Sequence, residues 1–358
     1  MRKTQKPSVI SATPEQTQLV EEIRQLIEET KSSVAVAVNV SMTMLYWKVG
    51  QRIHKELLGG QRASYGEEIV SIVSGQLRDH YGRGFSEKNI RHMIRFAEAF
   101  PDESIVSTLW RQLGWSHFKE IIYLKQPLQM QFYAQMCRHE RWSVRALHSK
   151  INSMLYERTA LSKKPEELAL LELQALRDSD KMSPNLVFRD PYLLDFLELN
   201  DRYMEKDLED AILRELEKFL LELGTGFAFL GRQKRIQIDQ EDFYIDLLFY
   251  NRHLRRLIAI DLKIGNFKAE YKGQMELYLR WLDKHERQPE EDSPLGIILC
   301  AGKRQEMVEL LELDQSGIHV AEYLTALPSK ALLQEKLHKA IEQSRLRLEN
   351  RSSDDEQD

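Results

Sequence analysis

Hydrophobic residues in the N-terminal half recur at the intervals of amphipathic helices. Ile90, Met93, Ile94 and Ala97 show this spacing, with polar residues between them. The same pattern predicts helices over residues 15–58, 67–80, 87–99, 115–124, 128–140 and 143–158. The first half of the chain is therefore predicted to be all-α.

A second pattern begins near Pro191, where short apolar runs with strand character alternate with helical segments. The first predicted element is a helix over about 193–223, with a potential break near Asn200. The others are strands at 226–238, 243–251 and 255–264, a helix at 268–285, a strand at 294–302, a helix at 303–312, a strand at 319–324 and a helix at 327–350. This order predicts a mixed sheet with a right-handed crossover between the third and fourth strands. The predicted division is a helical domain (15–160), a linker (161–182), an α/β domain (183–325) and a C-terminal helix with an acidic disordered tail (326–358).

Composition restricts the class of protein. The 358 residues are 42% hydrophobic and 30% charged, which suits a chain that folds as two domains. No run approaches the roughly 18 apolar residues of a membrane span, and the N-terminus lacks the apolar region of a secretion signal. Cys137 and Cys300 are far apart, and no group of Cys and His residues has the spacing of a zinc site. We therefore expect a cytoplasmic protein that is not embedded in a membrane.

Two adjacent strand-like runs, FYIDLLFYN (243–251) and LRRLIAIDLKIG (254–265), carry Asp246, Asp261 and Lys263 among apolar residues. Alternate residues of a strand share a face, so Asp261 and Lys263 point the same way. If the runs form a hairpin, Asp246 can stand beside them. Two carboxylates and an ammonium group in this apolar setting are suited to hold a hard divalent cation and to activate water or contact a phosphate. A salt-bridged surface hairpin is the alternative interpretation of these residues alone.

The arrangement resembles the PD-(D/E)XK nuclease superfamily, in which an Asp ends one strand and a (D/E)-X-K triplet lies on the next. Further motifs resemble the YhcG-type branch and its accompanying N-terminal domain, over roughly residues 15–325: LYWKVG (45–50), FSEKNIRHM (85–93), LGWSHF (113–118), RWSVRAL (141–147), FLLELG (219–224), FAFLGRQ (227–233), DFYIDLLFY (242–250), GQMELYL (273–279) and GIILC (296–300). Two positions depart from the pattern, because Asp261 stands where the branch more often has Glu and Ile245 where the motif's name has Pro. The resemblance implies an α+β two-domain protein, with an all-α helix-turn-helix-like domain and a restriction-endonuclease-like α/β domain.

The resemblance also implies roles for the strand residues. Asp246 and Asp261 are the expected ligands of Mg²⁺, for which Mn²⁺ can substitute. Lys263 is expected to orient or deprotonate the attacking water and to contact the scissile phosphate. Gln233, in the GRQ motif, is a weaker candidate for the site.

Helical residues are expected to complete the site. A glutamate from the first helix of the α/β domain commonly does so, and Glu209 fits the family pattern best as a catalytic residue and metal ligand. Glu215 and Glu217 are its rivals. Gln274 and Tyr278 stand four residues apart and therefore share a helix face. The resemblance places both near the metal site and the phosphate backbone.

Local basic faces are the expected DNA contacts, because the net charge of −5 argues against a general polyanion binder. The predicted helix 87–99 carries a basic stripe of Lys88, Arg91, His92 and Arg95. A Gly-Arg-Gly turn (82–84) precedes it, and Ser86 is a suitable N-cap. This arrangement is what a helix-turn-helix requires to enter a major groove, although a solvated basic face has the same pattern.

A second basic segment covers residues 141–164. It has six positive charges against one negative charge, and it includes Arg141 and Arg145. Such a segment is suited to follow a phosphate backbone. We therefore predict it to be a second DNA-binding surface.

Together these observations favour a metal-dependent DNA endonuclease. The family context implies a role in bacterial DNA repair, recombination or defence. Two alternatives remain open: a DNA-binding adaptor or complex subunit whose nuclease fold lacks useful activity, and a nuclease directed at RNA. DNA is the expected partner, a homodimer is left open, and the sequence does not specify any protein partner.

Overall fold

The computed structural model describes residues 14–58, 63–109, 112–199 and 203–355. The chain divides into two compact units, Met1–Leu124 and Lys125–Asp358. Among the described residues, no helix is both long and apolar enough to cross a lipid bilayer.

The first unit is helical, as the periodicity predicted. Its described helices are α1 (Pro14–Leu58), α2 (Ala63–Tyr81), α3 (Glu87–Ala99), α4 (Glu103–Leu109) and α5 (Trp115–Ile121). A core forms where α1, α2 and α3 bring together Tyr46, Ile53, Val70 and Met93. Gly50 allows α1 and α3 to approach closely, because a Cβ at this position would lie 1.9 Å from the Met93 carbonyl oxygen.

The second unit combines helices with one sheet. Its helices are α6 (Pro127–Glu140), α7 (Val144–Asn152), α8 (Leu155–Arg158), α9 (Glu166–Ser179), α10 (Pro184–Val187), α11 (Glu205–Arg214), α12 (Leu216–Leu223), α13 (Glu270–His285), α14 (Gln305–Leu310) and α15 (Lys330–Asp355). Its strands are β1 (Tyr192–Leu193), β2 (Phe227–Ile238), β3 (Glu241–Asn251), β4 (Arg256–Asn266), β5 (Leu295–Gly302) and β6 (Ile318–Leu324). Helix α15 continues to Asp355, into the acidic tail SDDEQD (353–358) that is predicted to be disordered. Residues 356–358 lie outside the described residues.

The sheet is mixed, with the order β1-β6-β5-β4-β3-β2. Strands β2, β3 and β4 form an antiparallel meander, whereas β4, β5, β6 and β1 run parallel to their neighbours. Helix α13 joins β4 to β5 and packs Met275 and Leu282 against sheet residues such as Ile245 and Ile298. The predicted fold class and the predicted hairpin of β3 and β4 are therefore confirmed.

The helix predicted over about 193–223 is wrong before Glu205, and its potential break near Asn200 lies outside the described residues. Tyr192 and Leu193 pair with β6 at the edge of the sheet, and α11 begins only at Glu205. A break at Glu215 separates α11 from α12. The pairing partner of β1 lies about 130 residues away in the chain, so local periodicity could not reveal it.

Residues 161–182, predicted to be a linker, contain α9. Ala169, Leu173 and Leu176 of this helix are buried, and α9 packs against α6. The Arg138 guanidinium of α6 donates a hydrogen bond of 2.7 Å to the Leu176 carbonyl. The compact units therefore divide at residue 124 rather than within the predicted linker. The many charged side chains of α9 concealed a narrow apolar stripe in the sequence.

The basic segment 141–164 is not a continuous cationic surface. Arg158 is 1% exposed, and its guanidinium pairs with Glu222 at 2.5 Å. The Lys163 ammonium pairs with the buried carboxylate of Asp190. Because a buried charge needs such a partner, these two cations stabilise the second unit and cannot also contact a phosphate backbone.

Candidate active site

Strands β3 and β4 bring the predicted metal ligands together. The paired register of the two strands ends at Leu247 and Ile260, and Asp246 is the next residue of β3. At this point the Leu262 N–H donates a hydrogen bond of 2.8 Å to Asp246 Oδ2, in place of a backbone carbonyl. The hairpin therefore opens where Asp246 and Asp261 stand.

Asp261 is buried, with 3% of its surface exposed. Burial raises the pKa of Asp261 to about 7, and the nearby Asp246 carboxyl group also raises it, whereas Lys263 lowers it. The Lys263 ammonium lies 2.9 Å from Asp261 Oδ2. Two close carboxyl groups retain a proton near neutral pH when no metal compensates their charge. A divalent cation would fit this donor set, because all the acidic donors are oxygens.

Lys263 lies in an aromatic environment. Its ammonium is 5.1 Å from the centre of the Tyr271 ring. Tyr203 Oη donates a hydrogen bond to Tyr323 Oη, which donates to the Lys263 carbonyl, each at 3.3 Å. Burial lowers the pKa of Lys263, but Asp261, Glu205 and Asp246 together raise it more, so the net shift is upward. Sequence analysis did not identify these tyrosines, because they come from three separate segments of the chain.

Replacing Asp261 with asparagine is expected to remove part of the pH dependence of folding stability. The folded pKa of about 7 lies above the usual value near 4, so the folded protein holds a proton that the unfolded chain releases. This stabilisation is complete below a pH of about 4 and is lost as the pH rises through 7. Urea unfolding of the full chain in chelator, between pH 5 and 8, should show the wild type losing roughly 1–4 kcal/mol more than the variant.

Asp242→Asn is a matched control for this measurement. Asp242 lies on the same face of β3 as Asp246, but it is exposed and pairs with Arg235. Its stability should follow the wild-type pH dependence. Parallel curves for wild type and Asp261→Asn would contradict the proposed proton uptake.

Glu209 of α11 connects to the strand carboxylates through Gln233. The Gln233 side-chain amide donates to Glu209 Oε2 at 2.7 Å and to Asp246 Oδ1 at 3.1 Å. Burial raises the pKa of Glu209, and Asp246 raises it too, while the Gln233 hydrogen bond lowers it. The rivals lie elsewhere, since Glu215 pairs with Lys218 at 2.8 Å and Glu217 is exposed. The geometry favours Glu209 among the three candidates.

Gln233 has a larger structural role than its sequence suggested. It adopts a left-handed backbone conformation within β2, with φ of 44°. Such a conformation is uncommon for a residue with a side chain and often occurs at functional sites. The register of β2 also shifts nearby, between Phe229 and Gly231. The GRQ motif was the available signal, but it did not show that the amide joins two carboxylates.

Gln274 and Tyr278 share one face of α13, as their spacing predicted. The Gln274 amide donates a hydrogen bond of 2.5 Å to Tyr278 Oη, and Tyr278 is 1% exposed. Burial raises the pKa of Tyr278, and the negative charges of Asp261 and Asp246 raise it further, while Gln274 lowers it. This electrostatic influence indicates that Tyr278 lies near the strand carboxylates. Its catalytic role stays a prediction.

The predicted DNA-binding helix is α3, with the predicted bounds. Lys88, Arg91 and Arg95 are exposed, whereas Ile90 and Met93 are buried. Ser86 occupies the N-cap position without a side-chain cap hydrogen bond. The arrangement of α2, turn and α3 therefore has a basic outer face, and its insertion into a DNA groove stays a prediction.

His92 differs from the other members of the basic stripe. It is half-buried, and its Nδ1 lies 2.6 Å from Tyr123 Oη. Burial lowers the pKa of His92, and the positive charges of Lys119 and Lys88 lower it further. We therefore expect His92 to be neutral near pH 7 and to position Tyr123 rather than to contribute a positive charge.

Arg141 and Arg145 are exposed and belong to the second compact unit, whereas α3 belongs to the first. Arg141 follows the last residue of α6 in a left-handed conformation, with φ of 53°. Of the other cations of the segment 141–164, Lys150 and Lys164 are half-buried. The contact of Arg141 and Arg145 with DNA stays a prediction.

Two family models match the chain, in the same order as the predicted domains. The DUF1016 N-terminal domain matches residues 22–158, and the YhcG PDDEXK nuclease domain matches residues 185–338. YhcG of Escherichia coli (strain K12) is 35% identical over 316 residues, which cover 80% of this chain and 84% of YhcG. The chain belongs to the YhcG family of PDDEXK nucleases. The two matches leave 159–184 unassigned, and this range contains α9.

Similarity to solved structures is limited in extent. A repair endonuclease from Pyrococcus abyssi has a TM-score of 0.24 and 18% identity, over 34% of this chain and 49% of that chain. EndoMS in complex with double-stranded DNA has a TM-score of 0.26 and 17% identity, over 36% of this chain and 49% of that chain. This member of the YhcG family therefore spans about half the length of each of these chains.

Proposed function

We propose that this YhcG-family nuclease is a divalent-metal-dependent endonuclease that hydrolyses phosphodiester bonds in DNA. The observation that carries the proposal is the convergence of Asp246, Asp261 and Lys263 where the β3–β4 hairpin opens. Gln233 adds Glu209 to the same group. This set combines acidic oxygen donors with one ammonium group, as metal-dependent phosphoryl-transfer chemistry requires.

Asp246, Asp261 and Glu209 are the residues that would hold the cation. Mg²⁺ is the proposed ion, with Mn²⁺ as a substitute, because both accept oxygen ligands. A bound cation would supply charge compensation for the phosphate and would lower the pKa of a coordinated water. Gln233 would keep Glu209 and Asp246 in a fixed relative orientation, since its amide donates to both carboxylates.

Lys263 is the proposed residue for water activation and phosphate contact. Asp261 favours its charged form, so its ammonium is available to hold a phosphate oxygen. Once the charge of Asp261 is compensated, this stabilisation weakens, and Lys263 can more readily release its proton. The Tyr271 ring lies beside the ammonium and limits where it can lie, while Tyr323 donates a hydrogen bond to the Lys263 backbone carbonyl.

The proposed role is DNA processing in bacterial repair, recombination or defence. Family membership supports a nuclease, and the exposed cations of α3 support DNA as the substrate. Cleavage of labelled duplex, single-stranded and four-way-junction DNA, and of RNA of matching sequence, with and without Mg²⁺, tests this assignment. We expect Mg²⁺-dependent cleavage of at least one DNA form. Cleavage of RNA alone would overturn the DNA assignment, and cleavage of none would favour the adaptor interpretation.

Reversing the charges of Arg91 and Arg95 to glutamate is expected to weaken DNA binding. Both side chains are exposed and lie off the apolar stripe of α3, so the fold should persist. Each lost phosphate contact should reduce the slope of log K against log salt by about one unit. Binding titrations at several salt concentrations measure this slope.

The double reversal of Arg24 and Arg52 in the same unit is the matched control, because these exposed arginines of α1 pair with Glu21 and Glu56. It changes the net charge equally and should alter the slope much less. Because Arg95 also donates a hydrogen bond to the Ile122 carbonyl, Arg91→Glu alone serves as the second variant, and circular dichroism checks the fold. Wild-type affinity and slope in both α3 variants would contradict the groove-binding role.

A further inference from the structure

A second group of potential metal ligands lies outside the candidate active site. His139 and Glu140 end α6, and His253 lies in the turn between β3 and β4. One ligand atom from each residue lies within 4.8 Å of the others, and all three residues are half-buried. Neither the family resemblance nor the candidate active site assigns a role to this cluster. The two histidines are 114 residues apart, so no local spacing in the sequence could reveal it.

The separation of the two imidazoles fits a shared tetrahedral ion. His139 Nε2 lies 3.3 Å from His253 Nδ1. Two nitrogens that each bind Zn²⁺ at about 2.0–2.1 Å in tetrahedral geometry stand roughly 3.3–3.4 Å apart. A Glu carboxylate beside two imidazoles completes the three-residue donor set of an open zinc site, in which water takes the fourth position.

The surrounding residues hold His253 in place. The Asn251 side-chain oxygen accepts hydrogen bonds of 3.0 Å from the backbone N–H groups of His253 and Leu254. Gly226, with φ of +80°, lies against the other edge of the ring, since a Cβ there would stand 2.3 Å from His253 Cδ2. Its Nδ1 edge is therefore the one that faces His139.

His139 is also held by its neighbours. Its side chain is 12% exposed, and its Nδ1 lies 3.7 Å from Asp180 Oδ1. The Arg138 guanidinium fixes that carboxylate with a contact of 2.6 Å. A carboxylate beside the outer nitrogen of a ligating histidine is a common arrangement in metal sites, because it orients the ring and makes it more basic.

We propose that His139, Glu140 and His253 bind a transition-metal ion of the Zn²⁺ class and thereby clamp the β3–β4 turn to α6. This site is separate from the candidate active site, because Asp246 lies roughly 17 Å from Asn251 along β3, before the turn begins. The donor types differ as well, since imidazole nitrogens favour Zn²⁺ whereas carboxylates favour Mg²⁺. The proposal does not depend on the proposed nuclease activity.

Titration of Zn²⁺ into the chelator-treated full chain tests the proposal. Zn²⁺ is the only ion that is titrated, and the buffer contains excess Mg²⁺. Calorimetry should detect one tight Zn²⁺ equivalent in the wild type. His139→Ala and His253→Ala should each weaken it by at least about 10–100-fold, the loss typical of disturbing even an outer-shell partner. At 100-fold excess over Kd, Zn²⁺ should raise the wild-type Tm by roughly 5–10 °C.

His285→Ala is the matched control, because His285 is an exposed histidine of the same unit and its ring contacts Trp281. It should bind Zn²⁺ as the wild type does, and so should Asp246→Ala. If the alanine variants fail to fold, His253→Gln tests the same ligand with a smaller change, and the visible absorption of bound Co²⁺ reports on the wild-type site.

The results separate the possible origins of Zn²⁺ binding. Loss in the His139 and His253 variants, with retention in Asp246→Ala, supports the proposed site. No tight Zn²⁺ equivalent in the wild type would overturn it and would leave the two imidazoles as a direct hydrogen-bonded pair. Loss in Asp246→Ala with retention in the histidine variants would also overturn it, because the ion would then belong to the candidate active site.

Discussion

Replacing Lys263 with alanine is expected to lower single-turnover DNA cleavage by about 10²–10⁴-fold, the usual contribution of a positioned acid–base group. Lys263 is not a proposed metal ligand, so metal and DNA should still bind. Lys263→Arg should not restore full activity, because a guanidinium does not release its proton and has a planar shape. Cleavage of labelled DNA with enzyme in excess, beside a binding titration on the same preparation, measures both properties.

Lys268→Ala is the matched control for Lys263→Ala. Lys268 approaches the same Tyr271 ring, at 5.9 Å, but it is exposed and pairs with Glu270 at 3.5 Å. Its removal should leave the cleavage rate close to that of the wild type. Equal rates for wild type and Lys263→Ala would show that the activity comes from another site or a contaminant. The adaptor interpretation would then be the better one.

Replacing Asp246 with alanine is expected to abolish both divalent-ion binding and cleavage. Asp246 contacts the Leu262 amide and shares Gln233 with Glu209, so it stands at the centre of the donor set. Calorimetry on the full chain should show a binding isotherm with Mg²⁺ or Ca²⁺ that the variant lacks. These hard ions avoid imidazole ligands, which keeps the histidine cluster out of the measurement. Ca²⁺ should bind without supporting turnover well.

Asp242→Ala controls for the loss of one negative charge from β3. Asp242 lies four residues before Asp246 on the same face of the strand, and its partner is Arg235. It should bind divalent ions as the wild type does. Unchanged Mg²⁺ binding in Asp246→Ala would reject Asp246 as a ligand, whatever the variant's cleavage rate.

The sequence predicted those elements whose determinants are local. Helix α3 has the predicted bounds because its apolar stripe and its flanking turn lie within about 20 residues. The β3–β4 hairpin followed from two neighbouring apolar runs, which paired without any distant partner. The placement of Asp246 beside Asp261 and Lys263 could therefore be inferred from the sequence alone.

Features that depend on distant partners could not be predicted in this way. The sequence indicated that Arg158 is a solvent-exposed cation, but it is buried and forms an ion pair with Glu222. The sequence predicted the β1 residues to be helical, but they form a strand that pairs with β6. In both cases a tertiary contact outweighed the local pattern, since a buried charge needs a counter-ion and a strand needs a neighbour.

The candidate active site also combines features that the sequence could predict with features that depend on distant partners. The family resemblance suggested Glu209, but it could not choose among three glutamates on physical grounds. The structure favours Glu209 because the Gln233 amide joins it to Asp246, and Gln233 makes this contact from a left-handed backbone conformation within β2. A backbone conformation of this kind leaves no periodic signal in a sequence.

The most direct test of the proposed active site is single-turnover cleavage of labelled DNA across a Mg²⁺ titration, with wild type and Asp246→Ala purified by the same route. The DNA form is the one that the wild type cleaves best. We predict that the wild-type rate rises with Mg²⁺ and saturates, whereas Asp246→Ala shows no cleavage above background at any Mg²⁺ concentration. A variant that cleaves at the wild-type rate, or a wild-type rate that does not respond to Mg²⁺, would contradict the proposed metal-dependent site.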